Sequence, residues 1–325
     1  MLRELTVYKL RFATPVHFAT QRGDYAISRR CLPSDSMYAA LTACLAKLGE
    51  AIPDDGDLGC CISSLFPFAH QAGKDIMFMP NPFRALVPKA GQENLKQRKN
   101  IKWIEWSLFD KMLAGQDIIN QPNTFLHGEY AVVDELFDKD FCKSEVSERV
   151  TIEDRTGHSD AEPFYVDRVS FKSGSGLYFI AKGNTDLVDK AIHMLSLEGI
   201  GTDRNVGNGY FEYEKSTMTL NIPADADHLL ALSSFIPESK EQLDDMLSSD
   251  KSAYELQRCG GWITTPPNQT LRKNVVYMLS AGSVLKHTAS DICTLGKIVD
   301  LRPDMQEVQH PIWRCGKALF VPIKM

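Results

Sequence analysis

The stretch EGIGTDRNVGNGYFEYE, from Glu198 to Glu214, decides how the first half of the chain is interpreted. Four glycines fall within eleven residues, and Asp203, Arg204 and Asn205 lie between them. The preceding run, NTDLVDKAIHMLSLEG, has apolar residues at helical spacing, and the run YFEYE that follows is strand-like. The sequence therefore predicts a helix, a glycine-rich loop and a strand. The four glycines are Gly199, Gly201, Gly207 and Gly209.

The order of these elements restricts what the loop can bind. Glycines can take positive φ and bring backbone N–H groups close to an anion, and Arg204 adds a planar donor for phosphate. A nucleotide P-loop needs GxxxxGK[ST] between a strand and a helix, whereas this loop follows a helix and lacks the lysine and hydroxyl. The same reversal argues against a dinucleotide site. Two interpretations stay open: a structural turn, and a loop that follows the phosphates of an RNA backbone.

Regular elements precede this stretch. Residues 5–12, LTVYKLRF, alternate as a half-buried strand, and an arginine-containing loop follows. The run LPSDSMYAALTACLAKLG predicts a helix that Ser34 or Asp35 caps and Gly49 ends. Further along, PFYVDRVSF and GLYFIAKG are strand-like and are separated by KSGS, which predicts a β-hairpin. From about residue 84 to 163 the pattern breaks down, which predicts an inserted functional segment.

Taken in order, these elements predict β-α, insertion, β-β-α-β. That order suits a ferredoxin-like (RRM-like) sheet with both helices on one face. We therefore expect an α+β protein with two domains. Residues 1–215 would form a ferredoxin-like RNA-binding domain with its insertion at about 84–163, and residues 216–325 a second, degenerate ferredoxin-like domain. The run STMTLNIP is expected to begin the second sheet.

Composition and charge set further limits. The formal net charge is -6, but residues 84–102 carry +5 and residues 225–255 carry -6, so we expect the acidic segment to face solvent or a partner protein. The eight cysteines form no CxxC pair and the eight histidines no HExxH motif, so we assign no metal and no cofactor. No apolar run approaches ~18 residues, so no membrane contact is expected and a cytoplasmic location is predicted.

A series of motifs along the chain resembles one protein family. The loop GIGTDRNVGNGYFE, between a helix and a strand, resembles the glycine-rich loop of the RAMP superfamily, the RNA-binding proteins of CRISPR systems. The resemblance extends to TPVHFAT, LPSDSMYAAL, SSLFPF, MPNPF, RVTIEDRTGHS, PFYVDRVSF, ELQRCGGWI, LRKNVVYMLSAGSVL and HPIWRCGKALFVPI. In this order they are similar to the fourth subunit of the Csm complex, the type III-A CRISPR effector.

The resemblance implies a noncatalytic role in antiviral defence. Members of that family hold the 5′ tag of the CRISPR RNA (crRNA) within a ribonucleoprotein. They also dock the large polymerase-like (HD/Palm) subunit and the backbone RAMP subunit. A thumb projects between the guide and the target RNA, where it displaces a nucleotide. Here the thumb is expected within the insertion of the first domain, around SERVTIEDRTGHS.

The resemblance also assigns RNA contacts. They fall in the loop after the first strand, at the start of the first helix, in the thumb and in the glycine loop. The run CGGWI, together with two basic residues that follow it, suggests a second place for the RNA backbone. The predicted RNA-binding residues are His17, Arg22, Ser34, Ser36, Arg149, Thr151, Asp154, Arg155, Thr156, Gly199, Gly201, Thr202, Asp203, Arg204, Asn205, Val206, Gly207, Gly209, Gly260, Gly261, Arg272 and Lys273.

Other interpretations remain open. His17 could serve as general acid or base in a RAMP endoribonuclease that processes crRNA precursors. The chain could instead be the corresponding subunit of the related Cmr complex, or a protein bridge without RNA contact. Asp154 lies in no carboxylate cluster, which argues against two-metal nuclease chemistry. Trp103 and Trp106 could stack on bases or pack a helical face.

Overall fold

The computed structural model describes residues 1–19, 25–83, 95–151, 162–265, 267–287, 290–305 and 307–325. Within these ranges the chain forms five α-helices and twenty-one strands, so the predicted α+β class is confirmed. The helices are α1 (Ser34–Leu48), α2 (Leu95–Asn100), α3 (Trp106–Leu113), α4 (Asp186–Glu198) and α5 (Lys240–Met246).

Most strands are short, and many contain only three or four residues. The strands are β1 (Leu2–Phe12), β2 (Phe18–Ala19), β3 (Ser28–Arg29), β4 (Cys60–Ile62), β5 (Phe66–Gln71), β6 (Lys74–Pro80), β7 (Trp103–Glu105), β8 (Phe125–His127), β9 (Tyr130–Val132), β10 (Cys142–Thr151), β11 (Glu162–Phe171), β12 (Gly176–Gly183), β13 (Phe211–Asn221), β14 (His228–Ala231), β15 (Leu256–Cys259), β16 (Val276–Leu279), β17 (Val284–Lys286), β18 (Cys293–Leu295), β19 (Ile298–Asp300), β20 (Trp313–Cys315) and β21 (Ala318–Ile323).

A nine-stranded main sheet organises the molecule. Its order is β13–β1–β12–β5–β6–β7–β9–β8, with β4 paired to β12 as well. Neighbouring strands are antiparallel except for the parallel pair β7 and β9. In the chain, α1 lies between β1 and β5, and α4 lies between β12 and β13. The first four positions of the sheet therefore follow a β-α-β-β-α-β chain order.

Both faces of this sheet are covered, because apolar side chains alternate along β1 and β12. Tyr8 and Leu10 of β1 lie in a core that also contains apolar residues of α1 and α4. Leu5 and Val7 lie in a second core, with apolar residues of α3 and of the C-terminal strands β14 and β21. Each fully buried large side chain contributes about 1.5–3 kcal/mol. Among the described residues, the part of the sheet formed by β1 and β12 therefore presents no open face for a ligand.

The helix ends follow the predicted chemistry at their C-termini. Gly49 ends α1 in a left-handed conformation, with φ +73° and its N–H donating to Ala46 and Leu45. Gly199 follows α4, as predicted, and its N–H donates to Leu195 O at 2.8 Å.

The predicted hairpin between PFYVDRVSF and GLYFIAKG is wrong. β11 pairs with β10 along its whole length, from Cys142 opposite Phe171 to Thr151 opposite Glu162. β12 instead pairs with β1, β4 and β5 in the main sheet. The KSGS turn therefore joins strands of two different sheets. The residues of a turn do not determine whether the strands on either side of it pair with each other.

The second sheet does not begin at STMTLNIP. These residues continue β13, which pairs with β1 along its length from Phe12 opposite Phe211 to Leu2 opposite Asn221. The predicted domain boundary between residues 215 and 216 therefore lies inside a strand of the main sheet. A four-stranded sheet, β17–β14–β21–β18, forms the C-terminal half and shares the second core with the main sheet.

The segment predicted as an insertion is more regular than expected. Its described residues include α2, α3 and the short strands β7, β8 and β9, which extend the main sheet. Three-residue strands show no periodicity, which is why the pattern breaks down there. Trp103 and Trp106 are both partly buried and pack against the second core, and Trp106 Nε1 donates to Thr219 O at 3.1 Å. Their packing favours the structural interpretation over base stacking.

Within the described ranges, no helix is both long and apolar enough to cross a membrane. No group of three or more histidines, cysteines or acids in those ranges is arranged to hold a metal ion. All eight cysteines are free, and six are buried, as small apolar residues would be. The cytoplasmic location stays a prediction.

Candidate nucleic-acid interface

The glycine loop is bonded to the segment that leaves β1. Gly209 N–H donates to Pro15 O at 2.8 Å, and Thr202 N–H donates to His17 O at 2.9 Å. Across the base of the loop, Ile200 N–H donates to Gly209 O at 2.9 Å. These three bonds hold the base of the loop against the segment that follows the N-terminal strand.

Three of the four glycines are required by close backbone approach. A Cβ would lie 2.8 Å from Asn208 O at Gly199, 2.6 Å from His17 O at Gly201 and 2.0 Å from Ile200 O at Gly209, and all three positions have positive φ. Gly207 differs: its φ is +92°, yet a Cβ there would meet nothing within 4 Å. The first three glycines build the loop, whereas Gly207 lies at a tip that is open to a ligand.

The tip presents backbone donors. Asp203 has a left-handed φ of +59°, and a 3-10 turn over Arg204–Val206 follows it. The N–H groups of Val206, Gly207 and Asn208 donate back to the carbonyls of Asp203 and Arg204. In the described part of the chain, the N–H groups of residues 203, 204 and 205 have no hydrogen-bond partner. Consecutive unpaired N–H groups are suited to an anion.

Five charged side chains surround the tip. Glu198 accepts two bonds from Lys47 Nζ, at 2.6 and 2.8 Å, and lies 3.6 Å from Arg204. Arg149 of β10 lies 3.5 Å from the carboxylate of Asp203. Three cations and two acids leave one net positive charge. Such partly exposed pairs contribute at most about 1 kcal/mol each, so a phosphate can replace an acid at little cost.

Two buried polar groups beside the loop lack partners. His17 is fully buried, and its Nδ1 lies 2.7 Å from Asp167 O, which can only accept; Nδ1 therefore carries the proton. His17 Nε2 and Asn208 Nδ2 have no partner among the described residues. His17 was predicted as an RNA-contacting side chain, but its ring lies below the surface and its carbonyl supports the loop. Buried polar groups without a partner are uncommon in folded proteins.

The start of α1 differs from the prediction. Pro33 is the N-cap, and neither Ser34 nor Asp35 caps the helix, because both side chains are buried against the C-terminal half. Ser34 Oγ accepts from the N–H of Ser234 at 2.8 Å, and Asp35 Oδ2 lies 3.8 Å from Arg314. Ser34 therefore contacts the C-terminal half of the chain. Its predicted role in RNA binding did not include this contact. Ser36 is partly buried in the same first turn.

The predicted second place for RNA lies next to this helix start. Lys273 N–H donates to Gly261 O at 3.0 Å, and the Arg272 guanidinium lies 4.9 Å from the centre of the Trp262 ring. Burial, with the Arg314 guanidinium as a second cause, lowers the pKa of Lys273 to about 8. A Cβ on Gly261 would meet nothing within 4 Å, and one on Gly260 would lie 3.0 Å from Val275.

The structure thus groups the predicted residues in two clusters. The first cluster is the glycine loop from Gly199 to Gly209 with Arg149. The second joins the α1 start to residues 260–273 through Asp35 and Arg314. The sequence did not predict a place in these clusters for five residues: Lys47, Glu198, Asn208, Asp35 and Arg314. Only Asp35 carried a local signal, and that signal pointed to helix capping.

Part of the prediction falls outside the described residues. Arg22, Asp154, Arg155 and Thr156 lie there, as does the side chain of Thr151. The antiparallel ribbon of β10 and β11 leads to the segment predicted as the thumb, and Arg149 near its far end contacts the glycine loop.

Comparisons with known proteins agree with this architecture. Residues 224–323 match the family model of the CRISPR Csm4 C-terminal domain. A curated relative from Streptococcus thermophilus, the CRISPR system Cms protein Csm4, is 22% identical over 98% of this chain and 99% of its own length. A chain in the crystal structure of a Csm3–Csm4 subcomplex of the type III-A interference complex has a TM-score of 0.62 at 15% identity, covering 99% of this chain and 100% of its own. A chain in the Csm1–Csm4 cassette with pppApA has a TM-score of 0.61 at 15% identity, with 99% of both chains covered.

These comparisons confirm the predicted resemblance to RAMP proteins of CRISPR systems. The more specific resemblance, to the fourth Csm subunit, is also confirmed. Residues 224–323 match the Csm4 C-terminal domain, and the likeness to Csm4 covers nearly the whole chain.

Proposed function

We propose that this chain is the noncatalytic Csm4 subunit of a type III-A CRISPR ribonucleoprotein and that its glycine loop binds the 5′ tag of the crRNA. The observation that carries this proposal is the tip of the loop. It combines an open Gly207, the N–H groups of residues 203–205, which have no partner among the described residues, and the guanidinium of Arg204. These donors fit phosphate oxygens, which position an RNA without reading its sequence.

The covered main sheet supports binding at the loop. An RRM-like protein can stack bases on an open sheet face, but here both faces of the strands β1 and β12 pack against other elements. RNA therefore runs along the edge formed by the glycine loop and the β10–β11 ribbon. The target RNA would lie near the thumb that this ribbon carries.

The strand order of the main sheet supports a more specific assignment of the fold. We infer a ferredoxin-like arrangement for β1, α1, β5, β12, α4 and β13, whose sheet order suits that fold, and a degenerate version for the C-terminal half. The two halves share a core, so they act as one unit in binding.

Protein partners are inferred from the similar structures. Those structures are of Csm1–Csm4 and Csm3–Csm4 assemblies. By that likeness, this chain links a large polymerase-like subunit to a backbone RAMP subunit.

A noncatalytic role fits the position of His17. A general acid or base must reach the proton that it transfers, and this imidazole is fully buried. Incubating the purified chain with repeat RNA tests the endoribonuclease alternative. Specific cleavage that His17→Ala abolishes would establish that activity and overturn the noncatalytic assignment.

The direct test compares two substitutions at the open position. Gly207→Asp and Gly207→Asn have the same size and the same backbone strain, and only the first adds a negative charge. We expect the aspartate variant to bind tag RNA about tenfold more weakly, the equivalent of about 1.4 kcal/mol, and the asparagine variant to bind almost as well as wild type. Equal affinity in both variants would exclude phosphate contact at this tip.

A second readout locates the RNA. In the assembled complex, crosslinks between the 5′ tag and residues 199–209 are expected. An assembled complex whose tag crosslinks elsewhere would leave this chain as a protein bridge.

A further inference from the structure

Tyr210, directly after the last glycine of the loop, has a fixed backbone and an aromatic ring without a partner. Its N–H donates to Thr14 Oγ1 at 3.0 Å, and its carbonyl oxygen accepts from the N–H of Ala13 at 2.9 Å. The residue is partly exposed and is not among those that pack against the two main cores. In the described part of the chain, its ring has no aromatic or cationic partner and its hydroxyl has no hydrogen bond.

The same residue lines a cleft beside the tip of the glycine loop. Besides Tyr210, the cleft is lined by loop residues 201–205 and by Glu198 at the end of α4. Its volume is about 420 Å³, and it is open to solvent. Clefts that bind small organic molecules have volumes of about 300–1,000 Å³, so this one can hold a single nucleobase.

The cleft adjoins the backbone donors of the tip. Residues 203–205 line it, and their N–H groups have no hydrogen-bond partner among the described residues. Both acids of the cleft are paired with cations: Glu198 lies 2.6 Å from Lys47 Nζ, and Asp203 lies 3.5 Å from Arg149. A phosphate at the N–H groups is therefore not opposed by an unpaired carboxylate of the cleft. Because each base of an RNA is joined to its phosphate through one ribose, that phosphate would bring a base to the cleft.

We propose that this cleft holds one nucleobase of the bound RNA, stacked on the ring of Tyr210. Every base has a flat π face, so stacking on an aromatic side chain adds affinity without selecting a sequence. The backbone bonds of Tyr210 hold the residue in place before RNA arrives, which lowers the entropic cost of the contact. The inference rests on the proposed function, because the base enters with the RNA whose phosphates the loop binds.

Abasic scanning of the tag RNA tests the stack. Each probe RNA carries one abasic nucleotide, which removes a base and keeps every phosphate, and its affinity for the full chain is measured at one salt concentration. With wild type, we expect one abasic position to lower the affinity at least about fivefold, the lower end for loss of a stacked base. With Tyr210→Ala, the same abasic position should have no effect. Tyr210→Phe keeps the ring and should behave like wild type.

Two controls separate stacking from a change in stability. Abasic and intact RNA are compared within each variant, so a smaller folded fraction lowers both affinities equally. Tyr254→Ala removes another tyrosine, which is 48% exposed and lies outside the cleft. This variant should retain the full effect of the abasic position.

Two results would overturn the proposal. One is wild-type affinity that no abasic position changes. The other is an equal abasic effect in wild type and Tyr210→Ala, which would place the sensitive base elsewhere. Either result leaves the proposed function standing if Gly207→Asp still binds tag RNA more weakly than Gly207→Asn. Equal affinity of those two variants instead removes the phosphate site, so the two failures are distinguishable.

Discussion

Two glycine-bearing loops in this molecule, both predicted to contact RNA, are built in different ways. The loop after α4 places three glycines against backbone carbonyls, at Cβ distances of 2.0 to 2.8 Å. In the loop after β15, Gly261 lies in open space, Arg272 lies over the Trp262 ring, and Lys273 lies within the electrostatic field of Arg314. In the first loop, the close approach of three glycines to backbone carbonyls determines the conformation, and the tip at Gly207 stays open. In the second loop, contacts between side chains, such as that of Arg272 with Trp262, contribute to the conformation instead.

The largest expected loss of stability comes from adding a methyl group at Gly209, the glycine that lies closest to a backbone carbonyl in the first loop. Gly209→Ala places Cβ 2.0 Å from Ile200 O at a φ of +80°. We expect the free energy of unfolding to fall by about 4 kcal/mol or more, because the substitution combines a steric conflict with backbone strain. Gly261→Ala, with φ +103° and no neighbour within 4 Å, should cost about 1–2 kcal/mol. Chemical denaturation checks both, and equal losses would remove the contrast between the loops.

The second effect is a pH dependence of the free energy of unfolding that comes from Lys273 in the second loop. Lys273 has a pKa of about 8 in the folded chain, below its ordinary value of 10.5. The unfolded state therefore binds more protons between these values, and the free energy of unfolding gains on the order of 1–3 kcal/mol as the pH rises from 8 to 10.5.

Lys273→Met isolates this contribution. The difference in unfolding free energy between wild type and variant should change across pH 8–10.5 and stay constant from pH 5 to 7. A difference that is independent of pH would show that burial does not shift this lysine.

A smaller effect is expected where Arg272 lies over Trp262. Arg272→Met keeps the length of the side chain and removes the cation. The loss should be about 0.5–1 kcal/mol, the usual size of an exposed cation–π contact. Trp262→Leu should abolish the difference between arginine and methionine at position 272 in a double-mutant cycle; additive losses would show that the pair does not interact.

The smallest stability effect is expected at Arg149. Its contact with Asp203 is partly exposed, so Arg149→Met should change the unfolding free energy by less than about 0.5 kcal/mol. Affinity for tag RNA should nevertheless fall, and the salt dependence of binding should become shallower, because one phosphate contact is lost. An unchanged salt slope would show that Arg149 does not contact the RNA.

The elements around the quoted loop were predictable because their signals are local. Apolar periodicity gave α4, and Gly199 and Gly49 gave the helix ends. Gly207 could be placed in the loop but could not be distinguished from Gly209, since only the folded chain shows which glycine meets a carbonyl.

What the sequence did not predict depends on pairing over long distances. The partner of β11 could have been β12 or β10, and a flexible turn fits either. Likewise, the contact of Ser34 with Ser234 joins residues that are 200 positions apart. Ser34 and Asp35 are ordinary capping residues by type, so their burial against another part of the chain has no signature in the surrounding residues.

The register of β1 has a consequence for how the chain folds during its synthesis. β1 is made first, yet its two neighbours are β12 and β13, and Leu2 pairs with Asn221. One edge of β1 therefore stays unpaired until β12 has been synthesised, and the other edge stays unpaired until β13 has been synthesised. Pairing across such separations closes slowly and exposes strand edges in the meantime. Nascent chains halted before residue 221 should accordingly remain protease-sensitive and recruit chaperones.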